Sequence, residues 1–577
     1  MIILGIADSI TSGATMVADG KVLAAVSEER LNRQKMAMGF PRQSIAAVLK
    51  IASLEMKDVD HVVVATNSLF WRPEPNKLED YFRKPKEMRR DLFLSAGSFF
   101  AKLTNGHHLS RKVYYELKAL LTRNRKAKIR QRLAKEWGYQ GEVSFLDHHL
   151  AHCASAYFTS GMEQATVISL DGAGDGCSSQ VYRVDNGKFK LLHKLDSYDS
   201  VGNYYAYVTH LCGFHAHKHE GKITGLAAYG HPTYIELLKR YIQYKNGNIH
   251  NIGRCFDWSA IRKLEKELGP TFSLEDLAAS IQWILEDVAT QYVRYWVTRS
   301  GISNVALAGG VAANVKLNQR IHALPEVNRT FIHPGMGDEG LATGAALFKC
   351  FQLCERDHQP FDRNPISHVY WGPQFSNREV ERALESFGMP YTYHEDIESQ
   401  VAGLLANEKI VARFAGRMEY GPRALGNRSI LYHSMDKSVN NWLNKRLKRT
   451  EFMPFAPVTP KEYAQQSYTG LAGAELPAKF MTITTDCTAE MAAHCPAVVH
   501  IDGTARPQVV AEEDNPRYYR IVEEYRKITG IPSLINTSFN MHEEPIVCSP
   551  HDALRAFRDG ALDYLAIENF LVYGETA

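Results

Sequence analysis

Three glycine-rich turns, each directly after an apolar run, do most to constrain how this sequence can fold. They span residues 7–13, 171–176 and 309–314. Such turns expose backbone N–H groups with little side-chain obstruction, which is what a polyphosphate needs. One turn of this kind is usually only a turn, but here two lie in repeated hairpin units and the third opens a helix. The pattern predicts an α/β nucleotide-binding domain. Its candidate nucleotide-binding residues are Gly172, Gly174, Gly309, Gly310 and Asn314.

The length of the chain predicts more than one domain. A chain of 577 residues is too long for a single hydrophobic core. Polar residues over 355–365, which include Pro360 and Pro365, are typical of a linker. We therefore predict one α/β domain over residues 1–355 and a second over 370–577, where an α/β pattern resumes with different motifs.

The N-terminus and the cysteines bear on the cellular compartment. The first eight residues lack a cationic segment, and no apolar window of about 18 residues occurs in the sequence. The nine cysteines are scattered and form no C-x-x-C pair, which indicates reduced, mostly buried thiols. These features predict a cytoplasmic protein without a membrane partner.

Residues 81–140 form a basic block, with 16 Lys or Arg against four acidic residues. Phe and Leu residues spaced through the block predict an inserted helical pair with a solvated basic face. The alternative is a contact surface for an anionic acceptor, a nucleic acid or a membrane. In either case we expect the block to lie at the surface, outside both cores.

A histidine pair points to a metal. His148 and His152 are spaced i, i+4, so on a helix that begins at Asp147 they share one face, about a metal's reach apart. Asp171, before the second glycine turn, and Asp338, in a later glycine-rich turn, offer oxygen ligands. Mixed nitrogen and oxygen ligands suit iron or zinc better than magnesium, with iron as our first expectation and zinc as the alternative. The competing interpretation is that the histidines only cap or pack the helix.

Two stretches around these residues resemble a known family. Residues 148–158, HHLAHCASAYF, and residues 221–230, GKITGLAAYG, are similar to the carbamoyltransferases of nodulation-factor and antibiotic tailoring, the nebramycin-synthase type. The glycine turns resemble the phosphate and adenosine loops of the actin, sugar-kinase and heat-shock ATPase superfamily. The resemblance implies a duplicated actin-like first domain, related to the metal- and ATP-binding subunit of the tRNA threonylcarbamoyl-adenosine machinery, with Mg²⁺ accompanying ATP. It also implies a metal held by His148, His152, Asp171 and Asp338.

Basic residues cluster around another glycine-punctuated turn, GRMEYGPRALGNRS at 416–429. Three arginines so close suit an anionic substrate better than a core, although any single arginine is more often a surface or salt-bridge residue. Downstream motifs add basic groups that bind phosphates, and amide and hydroxyl groups that hydrogen-bond a small neutral head such as a carbamoyl amide. The candidate residues are Arg417, Arg423, Arg428, Lys448, Arg506, Asn536 and Ser538.

This set of residues resembles the YrdC-like second domain of the same carbamoyltransferases. In that family the domain uses carbamoyl phosphate and ATP to form carbamoyl-adenylate. The resemblance implies catalytic roles for Lys448, Arg506 and Arg423. It covers nearly the whole chain apart from the basic block.

Two departures from the family pattern concern the catalytic base and one arginine. The family has a His-Asp pair in its first glycine turn, where this chain has Ile10, Thr11 and Ser12. It also has an arginine before Pro-Phe-Ala-Pro, where this chain has Met453. The base is therefore unassigned, and an amine or a more acidic hydroxyl as the acceptor stays open. The candidate bases are His215, His217 and His219.

Together these patterns predict a carbamoyltransferase that acts on a hydroxyl or amine of a small-molecule or sugar acceptor. Making the activated species and using it within one protein limits its loss to water. Two alternatives stay open: a nucleic-acid-modifying carbamoyltransferase that holds its polymer on the basic block, and a non-catalytic ATP-binding scaffold. The oligomeric state is also open, with a homodimer as one alternative.

Overall fold

A computed structural model describes residues 1–69, 71–77, 122–448 and 452–574. The chain divides into two compact units. The first unit comprises Met1–Val22, Met36–Pro41 and Ser53–Pro365. The second unit comprises Leu23–Lys35, Arg42–Ala52 and Ile366–Ala577. No helix within the described ranges is long and apolar enough to cross a membrane.

The first unit is built around two five-stranded sheets with the same strand order. In each sheet three strands that are consecutive in sequence lie side by side, and two later strands extend the sheet in parallel from the first of the three. This repeat confirms the predicted duplicated, actin-like α/β architecture. In spatial order the first sheet contains Lys21–Ser27, of which only Lys21 and Val22 belong to the first unit, and then Gly13–Ala18, Ile2–Ala7, His61–Ala65 and Val143–Leu146. The second sheet contains Lys188–Asp196, Cys177–Asp185, Gln164–Gly174, Asn304–Ala308 and Arg329–Ile332.

Both sheets close their hairpins with the same kind of turn. Asp19 and Gly20 have φ angles of 49° and 89°, and Asn186 and Gly187 have φ angles of 49° and 82°. Positive φ at both central residues defines the type I′ turn, whose twist matches that of the flanking strands. Asn, Asp and Gly adopt this backbone conformation at the lowest cost, so the dipeptides themselves fix the hairpins.

Two helices pack at the centre of the first unit, and glycines allow their close approach. A Cβ on Gly344, in the helix Leu341–Arg356, would lie 1.8 Å from the carbonyl oxygen of Ala151 in the helix His148–Ser160. A Cβ on Gly5 would lie 2.1 Å from the carbonyl oxygen of Ala342. A side chain at Gly344 would push the two helices apart, and one at Gly5 would push the helix Leu341–Arg356 away from the strand Ile2–Ala7, so each glycine allows one of these close contacts.

The other helices of the first unit surround this centre. The longest begins after the capping residue Ser273, whose hydroxyl accepts from the N–H of Asp276, and ends at Gly301. A short hairpin, Ile242–Lys245 with Asn248–Asn251, and a short antiparallel pair, Ala37–Met38 with Asn76–Lys77, complete the unit. The helices are Asn124–Trp137, Val201–Leu211, Glu220–Leu226, Ile235–Lys239, Asp257–Leu268, Leu274–Ser300 and Val315–His322.

The predicted basic block is only partly described, and its described part corrects the prediction. Residues 78–121 lie outside the described residues. The segment Asn124–Trp137 is helical, but Arg125, Ile129 and Leu133 are fully buried. Arg125 forms an ion pair with buried Asp8. The expectation that the whole block lies outside the core is therefore wrong for this helix, because one of its cations neutralises a buried carboxylate.

The second unit is organised on a mixed eight-stranded sheet, which confirms the predicted α/β class. Apolar side chains fill both faces of the sheet, as expected when helices cover each side. In spatial order the strands are Tyr391–Tyr393, Phe570–Tyr573, Tyr564–Ile567, Val411–Phe414, Arg428–His433, Leu534–Ser538, Ala456–Pro460 and Gln508–Val510. A smaller sheet contains Tyr468–Thr469, Thr485–Cys487 and Thr504–Ala505. The helices are Glu28–Asn32, Arg42–Ala52, Asn377–Phe387, Ile397–Ala406, Val439–Arg446, Ala464–Ser467, Glu475–Lys479, Ala489–His494, Pro516–Thr529 and Pro550–Asp559.

Two short N-terminal segments belong to the second unit, although they were expected within the 1–355 domain. The buried carboxylate of Glu28 ties the two segments together. It accepts from the backbone N–H groups of Gln43 and Ser44 at 3.1 and 2.7 Å, at the start of the helix Arg42–Ala52. A carboxylate at a helix N-terminus satisfies otherwise unpaired N–H groups, so Glu28 anchors both segments.

Candidate metal centre and arginine site

The helix His148–Ser160 presents two imidazoles on one face. Asp147 caps the helix, because its carboxylate accepts from the backbone N–H of Leu150 at 3.0 Å. The Nε2 atoms of His148 and His152 lie 3.1 Å apart, and both side chains are buried. The i, i+4 spacing therefore brings the two rings together.

Two carboxylates from separate loops meet these imidazoles. His148 Nε2 lies 3.2 Å from Asp171 Oδ2 and 3.6 Å from Asp338 Oδ1. His152 Nε2 lies 3.5 Å from Asp338 Oδ1 and 4.0 Å from Asp171 Oδ2. One ligand atom from each of the four residues lies within 4.8 Å of the others. The structure thus brings all four sequence-predicted ligands to one point, here called the metal cluster.

The donor atoms and their outer partners fit a divalent transition metal. Thr66 Oγ1 lies 3.0 Å from His148 Nδ1, and the N–H of Gly310 donates to Asp171 Oδ1 at 3.0 Å. Such outer partners orient metal ligands and leave the opposite lone pair directed at the ion. Two imidazole nitrogens and two carboxylate oxygens suit iron and zinc alike, whose bonds to these atoms are about 2.0–2.2 Å.

The carboxylates of the metal cluster also control the charge of His148. Burial disfavours a charged imidazole, but Asp338 and Asp171 outweigh it and raise the pKa of His148 to about 9. Burial by itself would raise the pKa of the Asp171 carboxyl. Its hydrogen bond with His148 acts the other way, and the pKa of this carboxyl lies well below the ordinary value. His149 differs, because its ring bonds to Ser169 Oγ and burial lowers its pKa to about 3. His149 is therefore a neutral packing residue.

The second and third glycine turns lie directly against the metal cluster. A Cβ on Gly174 would lie 2.1 Å from Cδ2 of His148. Gly309 has a φ of 96°, and a Cβ there would lie 2.2 Å from the carbonyl oxygen of Leu170. Gly172 is less tightly placed, because a Cβ there would lie 3.2 Å from Oδ1 of Asn203. At Gly174 and Gly309 glycine is thus required by the close approach of backbone and ligands.

Asn314, a predicted nucleotide contact, is engaged within the fold. Its Oδ1 accepts from the N–H of Leu317 at 2.9 Å and so caps the helix Val315–His322. Its Nδ2 donates to Gln282 Oε1 at 2.8 Å. These contacts explain why Asn is suited to this position, and the nucleotide contact stays a prediction.

The three candidate bases form a local turn before the helix Glu220–Leu226. The N–H of His215 donates to the ring Nδ1 of His219 at 3.3 Å, and the N–H of His217 donates to Glu220 Oε1 at 2.5 Å. His217 has a φ of 65°, so its backbone is in the left-handed region. A role for any of them as the base stays a prediction.

Two of the three arginines in the 416–429 turn hold backbone carbonyls. Arg428 is fully buried, its guanidinium carbon lies 3.6 Å from the ring centroid of Phe414, and Nη1 donates to the carbonyls of Ala415 and Asn427. Burial lowers the pKa of Arg428 to about 10. Arg428 therefore stabilises the turn from the inside.

The other predicted cations of this site are more accessible. Arg417 is half-buried and its Nη2 donates to the carbonyls of Leu23 and Trp371, each at 2.8 Å. Arg423 and Arg506 are half-buried, and Lys448 is exposed. Their predicted contacts with phosphate stay predictions.

Asn536 and Ser538 lie on the strand Leu534–Ser538 of the same unit. Asn536 is buried, and its Nδ2 donates to the carbonyl of Ala424 at 3.1 Å and to Gln508 Oε1 at 2.6 Å. Its Oδ1 is buried without a hydrogen-bond partner among the described residues. Ser538 Oγ donates to Asn540 Oδ1 at 2.6 Å. The strand thus carries an unpaired acceptor beside the arginine turn.

The sequence prediction missed two charged groups of this site. Glu419 is buried, and its Oε1 accepts from the N–H groups of Leu425 and Arg428 at 2.7 and 3.1 Å. Arg30 is buried and donates to the carbonyl of Gly421. In the sequence, Arg30 stands in a short charged segment that follows an apolar strand near the N-terminus. Such a segment by itself indicates only the start of a helix.

The fold and the metal cluster define a two-part α/β protein of the kind that the motifs predict. The family model for the carbamoyltransferase N-terminus matches residues 2–347, and that for the carbamoyltransferase C-terminus matches residues 402–573. The chain belongs to the carbamoyltransferase family.

Relatives extend over nearly the whole chain. The uncharacterized protein sll1178 of Synechocystis sp. is 31% identical over 603 residues, which cover 97% of this chain and 94% of that protein. Nodulation protein NolNO of Sinorhizobium fredii is 32% identical over 576 residues, which cover 98% of this chain and 79% of that protein. Among solved structures, HypF of T. kodakarensis is 14% identical, covers 61% of this chain and 48% of that chain, and has a TM-score of 0.35. A TM-score this low supports no further conclusion.

Proposed function

We propose that this protein is an ATP-dependent carbamoyltransferase with two chemical steps. The arginine site forms carbamoyl-adenylate from carbamoyl phosphate and ATP, and the metal cluster supports transfer of the carbamoyl group to a hydroxyl or amine of a small-molecule or sugar acceptor. One observation carries the proposal. In a chain of the carbamoyltransferase family, one ligand atom from each of His148, His152, Asp171 and Asp338 lies within 4.8 Å of the others.

In the first step, water releases inorganic phosphate from carbamoyl phosphate and leaves carbamate. A carbamate oxygen then attacks the α-phosphorus of ATP, a new P–O bond forms, and pyrophosphate leaves. Arg423, Lys448 and Arg506 bind the phosphate groups in this proposal, because fixed cations stabilise charge that develops on phosphoryl oxygens. The unpaired, buried Oδ1 of Asn536 supports a role as acceptor for the carbamoyl N–H group.

In the second step, the acceptor attacks the carbamoyl carbon, the bond from that carbon to the AMP oxygen breaks, and AMP leaves with the electron pair. A bound metal would supply Lewis-acid polarisation of a phosphate or carbamoyl oxygen. The N–H groups of the second glycine turn, around Gly172 and Gly174, would hold the AMP phosphate. The proton of the acceptor goes to a base, for which His215, His217 and His219 are the candidates.

Three measurements on the purified full-length protein test the proposal. Pyrophosphate release from ATP should require carbamoyl phosphate, and mass spectrometry should detect a carbamoyl group added to an acceptor from a panel of sugars and amines. Metal analysis of protein purified without added metal should find about one transition-metal ion per chain. Pyrophosphate release that is independent of carbamoyl phosphate would contradict the first step, and full transfer activity in metal-free protein would contradict the second.

A further inference from the structure

The start of the chain contributes a buried cation to the arginine site. Arg30 lies in the short helix Glu28–Asn32 and is only 4% exposed. Its Nη2 donates to the carbonyl oxygen of Gly421 at 2.7 Å. Gly421 has a φ of 100° and begins the Gly-Pro-Arg sequence that carries Arg423. Arg30 therefore holds the backbone that positions a predicted phosphate-binding residue.

The segment that precedes Arg30 is held by residues of the same unit. The N–H of Ala25 donates to the carbonyl of Trp371 at 3.3 Å, and Arg417 donates to the carbonyl of Leu23 at 2.8 Å. These contacts lie within the second unit, which includes Leu23–Lys35. The backbone that leads to Arg30 is thus held within the same unit.

Part of the Arg30 guanidinium is not used by the fold. Its Nη1 is buried and has no hydrogen-bond partner within the described ranges. Oε1 of the neighbouring Glu29 lies 3.7 Å from Nε. Leaving a buried charged donor unpaired is unfavourable, so this nitrogen requires an acceptor that the described residues do not provide.

Arg33, three residues later, shows the contrasting case of an arginine whose two Nη groups are both used by the fold. Its Nη1 donates to the carbonyl of Ile546 and its Nη2 to the carbonyl of Pro545, each at 2.7 Å. Its Nε lies 3.4 Å from Asp552 Oδ1. Both Nη groups of Arg33 have protein acceptors, whereas among the residues that the structure describes Arg30 has an acceptor for one Nη group only.

We propose that Arg30 is a further phosphate-binding residue of the arginine site. One Nη group holds the Gly421 carbonyl, and the other donates to a phosphoryl oxygen of carbamoyl phosphate. This inference rests on the proposed function of the site. The planar guanidinium can serve two acceptors in fixed directions, which a lysine ammonium on a flexible stem does less well.

The test compares Arg30→Met and Arg30→Lys in the full-length protein, with Arg378→Met as the control at an exposed helical arginine. Loss of a hydrogen bond to a charged phosphate should raise the KM for carbamoyl phosphate roughly 10- to 100-fold in Arg30→Met. The KM for ATP should change less than about twofold, and Arg30→Lys should recover part of the loss because it keeps the charge. Thermal unfolding verifies that each variant is folded.

A binding measurement separates this inference from the proposed function. Isothermal titration with inorganic phosphate should show roughly tenfold weaker binding in Arg30→Met than in the control, whether or not the wild-type protein releases pyrophosphate. Unchanged phosphate binding and unchanged KM in a folded Arg30→Met variant would overturn the inference. A rise confined to the KM for ATP would also overturn it, because the contact would then belong to the nucleotide.

Discussion

The metal cluster and the arginine site differ in how many polar groups the fold itself uses. In the metal cluster, the inner atoms of the four side chains face one another, and neighbouring residues bond to outer atoms, as Thr66 does to His148. In the arginine site, Arg417 and Arg428 donate to backbone carbonyls, and the amide of Asn536 does the same. Metal binding requires several side-chain atoms directed at one point, whereas oxyanion binding requires a turn whose conformation is fixed by hydrogen bonds.

The difference shows that some residues of a sequence motif are placed to bind a ligand, whereas others only stabilise the backbone around it. Every residue of the metal motif lies where a ligand should be. The arginine motif mixes residues that hold the turn, such as Arg428, with residues that are available to a substrate, such as Lys448. The comparison would be wrong if replacing a residue predicted to stabilise the turn affected only substrate binding. It would also be wrong if replacing a residue predicted to be a ligand affected only the free energy of unfolding.

The largest expected effect is loss of the metal from the double variant His148→Ala, His152→Ala. Without the imidazoles only two carboxylates remain in the cluster, which is too few ligands for tight binding of iron or zinc. Metal content, measured by mass spectrometry on dialysed protein, should fall from about one ion per chain to background.

The matched control for this change is His322→Ala. His322 is half-buried on another helix of the first unit, and its ring bonds to Thr330 Oγ1 at 3.0 Å. This variant should keep the metal. Circular dichroism verifies the fold of both proteins, and a folded double variant with full metal occupancy would show that the cluster is not the metal site.

The second largest effect is expected for variants that separate the two half-reactions, adenylate formation and carbamoyl transfer. Arg506→Ala removes a charge-assisted phosphate contact, so carbamoyl-phosphate-dependent pyrophosphate release should fall roughly 10- to 100-fold. The same variant should still use supplied carbamoyl-adenylate as a donor. His152→Ala should show the reverse, with release retained and transfer from supplied adenylate lost. Equal loss of both steps in both variants would indicate one shared active site.

Local patterns explain how much could be predicted from the sequence. Asp19-Gly20 and Asn186-Gly187 fix their hairpins through backbone preference alone, and helical spacing places His148 beside His152. Each of these features depends on residues within a few positions of one another, so the sequence contains the whole cause.

Pairings between distant residues explain what could not be predicted. Arg125 belongs to a strongly basic block, and only its meeting with Asp8, 117 positions away, shows that it is buried. Arg30 likewise meets Gly421 across 391 positions. No local pattern contains such a partner, so a composition-based expectation of surface exposure was wrong for Arg125.

The third prediction concerns this buried arginine of the first unit. Arg125 Nε donates to Asp8 Oδ2 at 2.9 Å, and Nη1 donates to the carbonyl of Thr66 at 2.6 Å. Arg125→Met should lower the free energy of unfolding by about 3–5 kcal/mol, because it leaves a buried carboxylate unpaired. Urea titration measures the change. The double variant Asp8→Asn, Arg125→Met should recover part of the loss, and no recovery would mean that the ion pair is not its cause.

The last and smallest effect is expected for Arg428, the buried arginine of the second unit. Arg428→Met keeps an apolar side chain over Phe414 but removes the donors to the carbonyls of Ala415 and Asn427. Because these acceptors are neutral, the free energy of unfolding should fall by about 1–3 kcal/mol, less than for Arg125→Met. The KM for carbamoyl phosphate should change less than about tenfold, because Arg428 affects the substrate only through the conformation of the turn. A larger rise in KM without a fall in the free energy of unfolding would show that Arg428 binds the substrate directly. The comparison between the two sites would then be wrong.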